Sequence, residues 1–428
     1  MLDPTALVTA SGVDRRIYLD PGIYRAELER IFATTWVYVA HESEIAQPNE
    51  FKTTEIGETP VIVTRDDAGT VRVLVNRCSH RAATLCQAAK GEAQFLRCAY
   101  HGWTYDRAGN LTGLPYPAGF GSMAEKSGFA LAQAPCVESY RGFIFARMAP
   151  AGPSLREHLG RAADYLDAFA DAAPGAAVAA RSGRHRYYYD ANWKLQMENA
   201  VDAYHAFFVH RSFFDIQDRH LGRRGSFYHD TSTAFTVDLG NGHAATDQRS
   251  EMQDVYYTRF KMSPGGAEVV AEMEREHGAD GARRFINAIG GNGFNLAIYP
   301  NLVLIGVHIR VIKPARIDRT MVELYPTTLQ GLPDRLNQMR LRSHEAFFGP
   351  AGFGSPDDME IFRRIQNGLA APEKPDIRFW RGLERERRDG ETVRGEITDE
   401  TPQRAQYKAW LQLMTAKPAA VREPVSVG

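Results

Sequence analysis

The period of the apolar positions changes twice along the chain, and these changes divide it. Asp20-Pro21 places a capping acid ahead of a proline suited to the first helical position. Ile23, Leu28, Ile31 and Phe32 then recur at roughly helical spacing and predict an N-terminal helix. From about Trp36 to Pro150 the pattern shortens into β-rich runs, PVIVTRD, VRVLVNRC and GFIFARM, broken by Asp-Asp-Ala-Gly and Arg-Ala-Gly-Asn turns. These predict a small antiparallel β domain. The following segment, AGPSLREHLGRAADYLDAFADAAPGAA, returns to helix and to an Ala/Pro/Gly-rich linker, which marks a boundary.

Beyond it, long helices mix with antiparallel strands. NLVLIGVHIRVIKP and DRTMVELYP, joined across Ala315 to Asp318, read as a hairpin. As one continuous strand, LVLIGVHIRVIK puts Leu304, Gly306, His308 and Arg310 on one face and Val303, Ile305, Val307 and Ile309 on the other. RGLERERRDGETVRGE, whose acids and bases nearly cancel, reads as a solvated or subunit-facing surface, and Trp410, Leu411 and Met414 predict a C-terminal helix behind it. No internal repeat or low-complexity tract interrupts the pattern.

At 428 residues with 44% apolar content, the chain exceeds one ordinary core, so two domains are expected. The periodicity divides it into a helical segment over 1–36, a β domain over 37–150 and a larger domain over 151–428, on which the first segment is expected to pack. The 51 basic and 52 acidic side chains leave no field to steer nucleic acid or anionic lipid. The opening MLDPTALV has no basic stretch followed by an apolar one, and no run approaches the roughly 18 apolar residues of a membrane span. The expectation is a cytoplasmic protein with neither nucleic-acid nor membrane partners, in which reducing conditions keep thiolates available.

The chemistry concentrates in two places. Cys78, His80, Cys98 and His101 stand as Cys-x-His, seventeen residues, then Cys-x-x-His, a spacing that lets two short loops close around an iron pair. A structural zinc site with two thiolates and two imidazoles is the alternative. The stretch NRCSHRAATLC…FLRCAYHGWTYDRAGNL resembles the 2Fe-2S centre of the Rieske family, down to Gly102-Trp103. That resemblance puts Cys78 and Cys98 on the inner iron and His80 and His101 on the outer one. Cys86 and Cys136 fall outside the pattern and receive no role.

The second place is NWKLQMENAVDAYHAFFVHRSFF. His205 and His210 are five residues apart, so a regular helix would point them about 140° apart and some distortion, such as a π-type turn, is required. Asp202, three residues before His205, is placed to accept the proton on that ligand's other ring nitrogen. ENAVDAYHAFFVH resembles the mononuclear-iron motif of Rieske ring-hydroxylating oxygenase large subunits. The resemblance covers nearly the whole chain and implies a third, carboxylate ligand in FFGPAGFGSPDDMEIF: Asp358, with Asp357 as its competitor. Ser355 and the two acids also read as an N-cap and first helical turn.

Family resemblance further implies an α+β fold, an antiparallel β Rieske domain joined to a helix-grip catalytic domain. It implies a trimer of large subunits, with or without a small β subunit, and Asp202 bridging to a neighbour's cluster. The cofactors are then one 2Fe-2S Rieske cluster and one mononuclear Fe(II). Electrons come from NADH through a reductase, with or without a ferredoxin, and dioxygen enters an aromatic ring as a cis-dihydrodiol. Asn199 and Tyr204 are candidates near the iron or ordinary fold residues. The overall phrasing resembles the group acting on aromatic carboxylates such as benzoate, anthranilate, salicylate or terephthalate. A buried carboxylate needs a cation or several donors, and His308 or Arg310 could meet it if their face lines the pocket; facing solvent or pairing with acids is the alternative. Phe207, Phe208, Phe347, Phe348 and Phe353 are candidate pocket walls. A monooxygenase with the same iron ligands remains open, as does a non-catalytic electron carrier or zinc-bearing module, which leaves His205, His210 and Asp358 unexplained.

Overall fold

The computed structural model describes residues 3–124, 126–172, 177–220, 222, 232–252, 255–262, 265–332, 334–374 and 376–416. The chain forms two compact units, one of Glu27–Leu155 and one that joins Met1–Ala26 to Arg156–Ala416. The helix expected near the N-terminus therefore straddles the division. Asp20 caps it by accepting from the amides of Gly22 and Ile23. Pro21–Glu27 is α-helical and Leu28–Phe32 continues as a π turn. The residues before the helix belong elsewhere: Val8–Thr9 and Gly12–Asp14 pair with each other and then with Asp376–Arg378. The residues after its start pack on the smaller unit, where Leu28 and Phe32 lie against Gly57.

In the smaller unit the β-rich runs form three antiparallel sheets. The largest orders Val71–Val75, Thr59–Arg65, Glu50–Ile56 and Lys90–Glu92. A second joins Cys136–Tyr140, Phe143–Arg147 and Val37–His41, and a third joins Leu111–Gly113, Thr104–Tyr105 and Leu96–Arg97. Asp66 closes the first turn by accepting from the amides of Ala68 and Thr70. The core of Phe51, Ile62, Leu74, Leu96, Trp103, Tyr105 and Leu111 also takes in Cys78 and Cys98. Each such apolar side chain contributes roughly 1.5–3 kcal/mol on burial.

The larger unit is built on a nine-stranded antiparallel sheet. Its order is His185–Tyr189, Arg319–Pro326, His308–Arg316, Leu302–Ile305, Phe294–Ile298, His243–Asp247, Phe235–Gly240, Thr392–Glu396 and Arg387–Asp389. The helices Lys194–Ala200 and Thr401–Thr415 pack against its middle strands and Gly354–Gly368 against its first. Mixed helix and antiparallel sheet is what the α+β reading expects. The charged tract 381–396 contains the edge strand Arg387–Asp389, where charge discourages further pairing, and ends in its neighbour Thr392–Glu396. Trp410 and Met414 are buried on the C-terminal helix. No helix among the described residues is long and apolar enough to cross a membrane.

One expectation fails here. LVLIGVHIRVIK is two strands, because Gly306 adopts φ +56° and turns the chain between Leu302–Ile305 and His308–Arg316. Cross-strand partners share a face, so His308 stands beside Ile305 and Arg310 beside Val303, while Leu304 and Ile309 occupy the opposite side. The turn inverts the alternation, and Leu304 leaves the face of His308 and Arg310. The hairpin that follows runs through Ile317-Asp318 into Arg319–Pro326.

Candidate metal centres

Two tight loops carry the Cys/His motif. In the first, Cys78 donates its amide to Ala83 and accepts from Ala82, which sits at φ +62°. In the second, Cys98 donates to Trp103 and accepts from Gly102, at φ +73°. A side chain at Gly102 would meet Pro115 at 3.2 Å, so the glycine of the His-Gly-Trp run serves both the left-handed turn and a close approach. Both cysteines are buried in the core, and His101 is exposed. The rings of His80 and His101 lie 4.6 Å apart, and His80 stacks on Trp103 at 4.8 Å. Tyr105 approaches Cys78 Sγ at 3.3 Å and accepts from the amide of Ser79. His80 Nδ1 is buried with no hydrogen-bond partner, as a nitrogen meant for a metal would be.

The other two cysteines stand apart. Burial pushes the Cys86 thiol up to about 11, so it stays protonated, and its amide donates to Asn76. Cys136 accepts from Arg147 at 3.3 Å.

The second site is assembled from a broken helix and a helix start. Lys194–Ala200 is anchored from below: Glu198 accepts from the hydroxyls of Tyr18 and Tyr407, and burial pushes its carboxyl up to about 7. Gln403 donates to the Glu198 carbonyl and Gln406 to that of Met197. After Val201 the helix stops. The Asp202 carboxylate takes the amides of Tyr204 and His205 and so starts a new single turn, Ala206–Val209. His205 stands at its head and His210, at φ −98° and ψ 30°, at its foot, where Arg211–His220 takes over. The required distortion is thus a break at both histidines instead of a π turn. It brings their rings to 5.4 Å.

Asp358 comes from the first turn of Gly354–Gly368. Ser355 is not its N-cap, since its hydroxyl donates to the Phe348 carbonyl; Phe353 holds the cap position without a side-chain bond. Gly354 allows this start because a Cβ there would collide with the Phe347 ring. His205 Nε2 and His210 Nε2 lie 3.5 and 3.3 Å from Asp358 Oδ1, and the three donor atoms can collect one cation. Behind each imidazole stands another carboxylate: Asp202 Oδ2 at 3.4 Å from His205 Nδ1, and Asp357 Oδ2 at 3.5 Å from His210 Nδ1. Asp357 therefore lies on the outer side of His210, away from the point where the donors meet.

The Asn199 amide nitrogen contacts both His205 Nε2 and Asp358 Oδ1 at 3.1 Å. Ligation through Nε2 requires the His205 proton on Nδ1, the nitrogen that faces Asp202. Burial pulls the His205 imidazole down, but Asp202 and Asp358 outweigh it and hold the group above its usual value. Burial likewise pushes Asp358 up, and His210, His205 and Arg310 hold it below the usual carboxylate range.

Around this centre the aromatic candidates divide. Phe347 packs on His210 at 5.1 Å and on Phe348 at 4.7 Å, and Phe348 packs on His308 at 4.5 Å. Tyr204 is directed outward beneath the Arg381 guanidinium, with exposed Phe208 beside it. Phe207 packs on Phe214, and Phe353 is partly exposed beside Phe213. Arg310 is 1% exposed, lies 5.4 Å from the Phe348 ring and pairs with no carboxylate among the described residues; its Nε and Nη2 have no partner. His308 is buried with both ring nitrogens unpartnered. The solvent-facing alternative for these two does not hold. Tyr187, Phe213, His185 and His344 were not singled out by sequence; they join the site through strand pairing and helix packing, which leave no local motif.

Comparison with known proteins agrees with this geometry. The Rieske [2Fe-2S] domain family matches residues 35–138, and the ring hydroxylating alpha subunit (catalytic domain) family matches 177–416. The large subunit of 2-halobenzoate 1,2-dioxygenase of Burkholderia cepacia is 35% identical over 87% of this chain and 79% of its own length. Toluate 1,2-dioxygenase subunit alpha of Pseudomonas putida is 33% identical over 83% and 78%. The structure of naphthalene 1,2-dioxygenase with indole in its active site superposes with a TM-score of 0.81 at 25% identity, covering 96% of this chain and 94% of that one. The chain belongs to the Rieske ring-hydroxylating dioxygenases, as a large (alpha) subunit that joins a [2Fe-2S] domain to a mononuclear non-haem iron catalytic domain.

Proposed function

We propose that this chain is the terminal oxygenase of a multicomponent system that adds both atoms of dioxygen to adjacent ring carbons of an aromatic carboxylate, giving a cis-dihydrodiol. In this reading residues 37–150 form the electron-accepting domain, with the cluster held by Cys78, His80, Cys98 and His101. Residues 151–428 form the catalytic domain, with Fe(II) held by His205, His210 and Asp358. Bound there, the iron supplies dioxygen activation with electrons received from the cluster. The chain's own residues do the rest. Asp202 and Asp357 place negative charge behind the two imidazoles, Asn199 contacts His205 and Asp358, and Phe347 and Phe348 offer apolar faces to a ring.

The observation that carries the substrate class is Arg310. Three residues along the same strand, Lys313 is equally buried and meets Glu323 at 2.8 Å, whereas Arg310 meets no acid among the described residues. An uncompensated buried guanidinium costs several kcal/mol, and its planar fork matches a carboxylate in two hydrogen bonds. A substrate carboxylate supplies that counter-ion, with neutral His308 beside it. The halobenzoate and toluate relatives act on compounds of this kind.

Turnover with labelled dioxygen and a panel of aromatic acids tests the reading. A diol bearing two labelled oxygens is expected. A product with one label establishes the monooxygenase alternative, and equal use of neutral arenes removes the carboxylate. As assembly we propose a trimer, with or without small subunits, fed by an NADH-dependent reductase directly or through a ferredoxin, in which Asp202 faces a neighbour's cluster. Asp202→Asn should then keep both metals and slow electron arrival at the iron in single-turnover measurements; an unchanged rate refutes the bridging role.

A further inference from the structure

Dioxygenation consumes more than electrons. An arene, dioxygen, two electrons and two protons give the cis-dihydrodiol: the O–O bond breaks, two C–O bonds form, and each oxygen ends as a hydroxyl. The reductase supplies electrons through the cluster, but the protons must come from solvent to a buried site.

We propose that Glu345, His185, His344 and His308 form that proton path, an inference that rests on the oxygenase reading above. Glu345 is exposed and its Oε1 lies 2.6 Å from His185 Nε2, itself partly exposed on the first strand of the nine-stranded sheet. The His185 ring stacks on His344 at 5.7 Å, and His344 meets His308 at 4.8 Å. His308 packs on Phe348, the ring that also lies beside Arg310. Phe348 in turn packs on Phe347 at 4.7 Å, and Phe347 lies 5.1 Å from the His210 ring, so the line ends beside the proposed iron site.

Both nitrogens of His344 and both of His308 are buried without a hydrogen-bond partner. Such groups are ordinarily satisfied by protein or by ordered water, and water between successive imidazoles would complete a donor–acceptor line. Imidazole suits the task because one nitrogen takes a proton while the other releases one. Burial, with the charges of Arg310 and Arg340 adding to it, holds His344 down at about 3, so it rests as neutral imidazole with one nitrogen to donate and one to accept.

The competing reading is a second metal site, since His185, His344 and Glu345 offer three donors within 4.8 Å. Charge argues against it. Arg310 and Arg340 both press on His344, Arg340 is buried with its hydrogen bonds going to Thr327 and the Ala288 carbonyl, and Glu345 is the one acid of the trio. Two buried guanidiniums and one exposed carboxylate give a resident divalent ion too little negative charge, whereas a proton passing along neutral imidazoles leaves no charge behind.

The test uses the whole enzyme with its reductase. His344→Gln and His185→Ala should keep cluster spectrum, iron content and KM, while kcat falls on the order of tenfold to a hundredfold. Peroxide release per dioxygen consumed and the solvent deuterium isotope effect should both rise, and millimolar imidazole should partly restore His185→Ala. An unchanged isotope effect with a raised KM overturns the path and makes these histidines substrate contacts. One equivalent of zinc beyond iron, lost in His344→Gln, overturns it in favour of a metal site. Failure of the oxygenase reading is distinguishable, because it appears as absence of diol in the unmodified enzyme.

Discussion

The two metal-bearing regions of this molecule are built on opposite plans. The cluster loops are local: four donors lie within Cys78 to His101, each loop closes on its own backbone, and the cysteines belong to the hydrophobic core. The proposed iron site is assembled from distant parts: Asn199 to His210 come from an interrupted helix, and Asp358 arrives from a helix start some 150 residues on. Their electrostatics differ as well. Among the described residues no acid pairs with the ring nitrogens of His80 or His101, while His205 and His210 each have a carboxylate in front and another behind. A centre that only passes electrons needs a full ligand set in a stiff frame; one that does chemistry needs three donors held from the outside, with room left in front.

The comparison breaks most sharply if the regions fail together. Cys98→Ala should abolish the visible cluster spectrum and turnover while mononuclear iron still binds. His205→Ala should abolish turnover with the cluster spectrum intact. Iron analysis and absorbance on both variants check this, and loss of both centres in either variant would show that the regions are not independent. Next in size is Arg310→Met. Removing the cation should raise KM for an aromatic acid by about 10²–10³-fold, the kinetic equivalent of roughly 3–4 kcal/mol, while a neutral arene of the same shape is unaffected.

How much was legible in the sequence follows the same division. Tight loops write their geometry into neighbouring residues, so Cys-x-His, Cys-x-x-His and the glycine at 102 could be read directly. At the proposed iron site a resemblance named three residues that the fold brings together, but their setting was not readable. An Asp that competes for backbone amides ends a helix where periodicity alone would continue it. Gly306 inverts a strand's faces, and only its positive φ shows this. His344, His185 and Tyr187 carry no signal at all, because a single buried polar residue looks like any other until strands and helices are packed.

A smaller effect sharpens the contrast between front and back carboxylates. Asp357→Asn leaves the Asp358 oxygen in place and removes only the charge behind His210. It should lower iron affinity by about 10–100-fold without touching the cluster or the substrate's KM at saturating iron. Titration of the apo-enzyme with Fe(II) gives the number. Loss as complete as that of Asp358→Ala would make Asp357 a direct ligand and reverse the assignment drawn from the 3.3 and 3.5 Å contacts.

The smallest predicted effects lie in the cluster loops, where local plan implies local strain. Gly102 at φ +73° has room for no side chain without crowding Pro115, so Gly102→Ala should destabilise by about 1–2 kcal/mol. Thermal bleaching of the cluster should shift down by roughly 3–5 °C per kcal/mol for a unit of about 100–150 residues. Ala82 sits at φ +62° in the companion loop but already carries a Cβ. Ala82→Gly should therefore move the midpoint the other way, by less than about 1 kcal/mol, because relief of the left-handed strain is partly offset by the entropy of an added glycine. Opposite signs in two loops that do the same job would show that the cluster's frame is set residue by residue. Equal signs would mean that the loops are held by the core beneath them, and the contrast with the iron site would narrow.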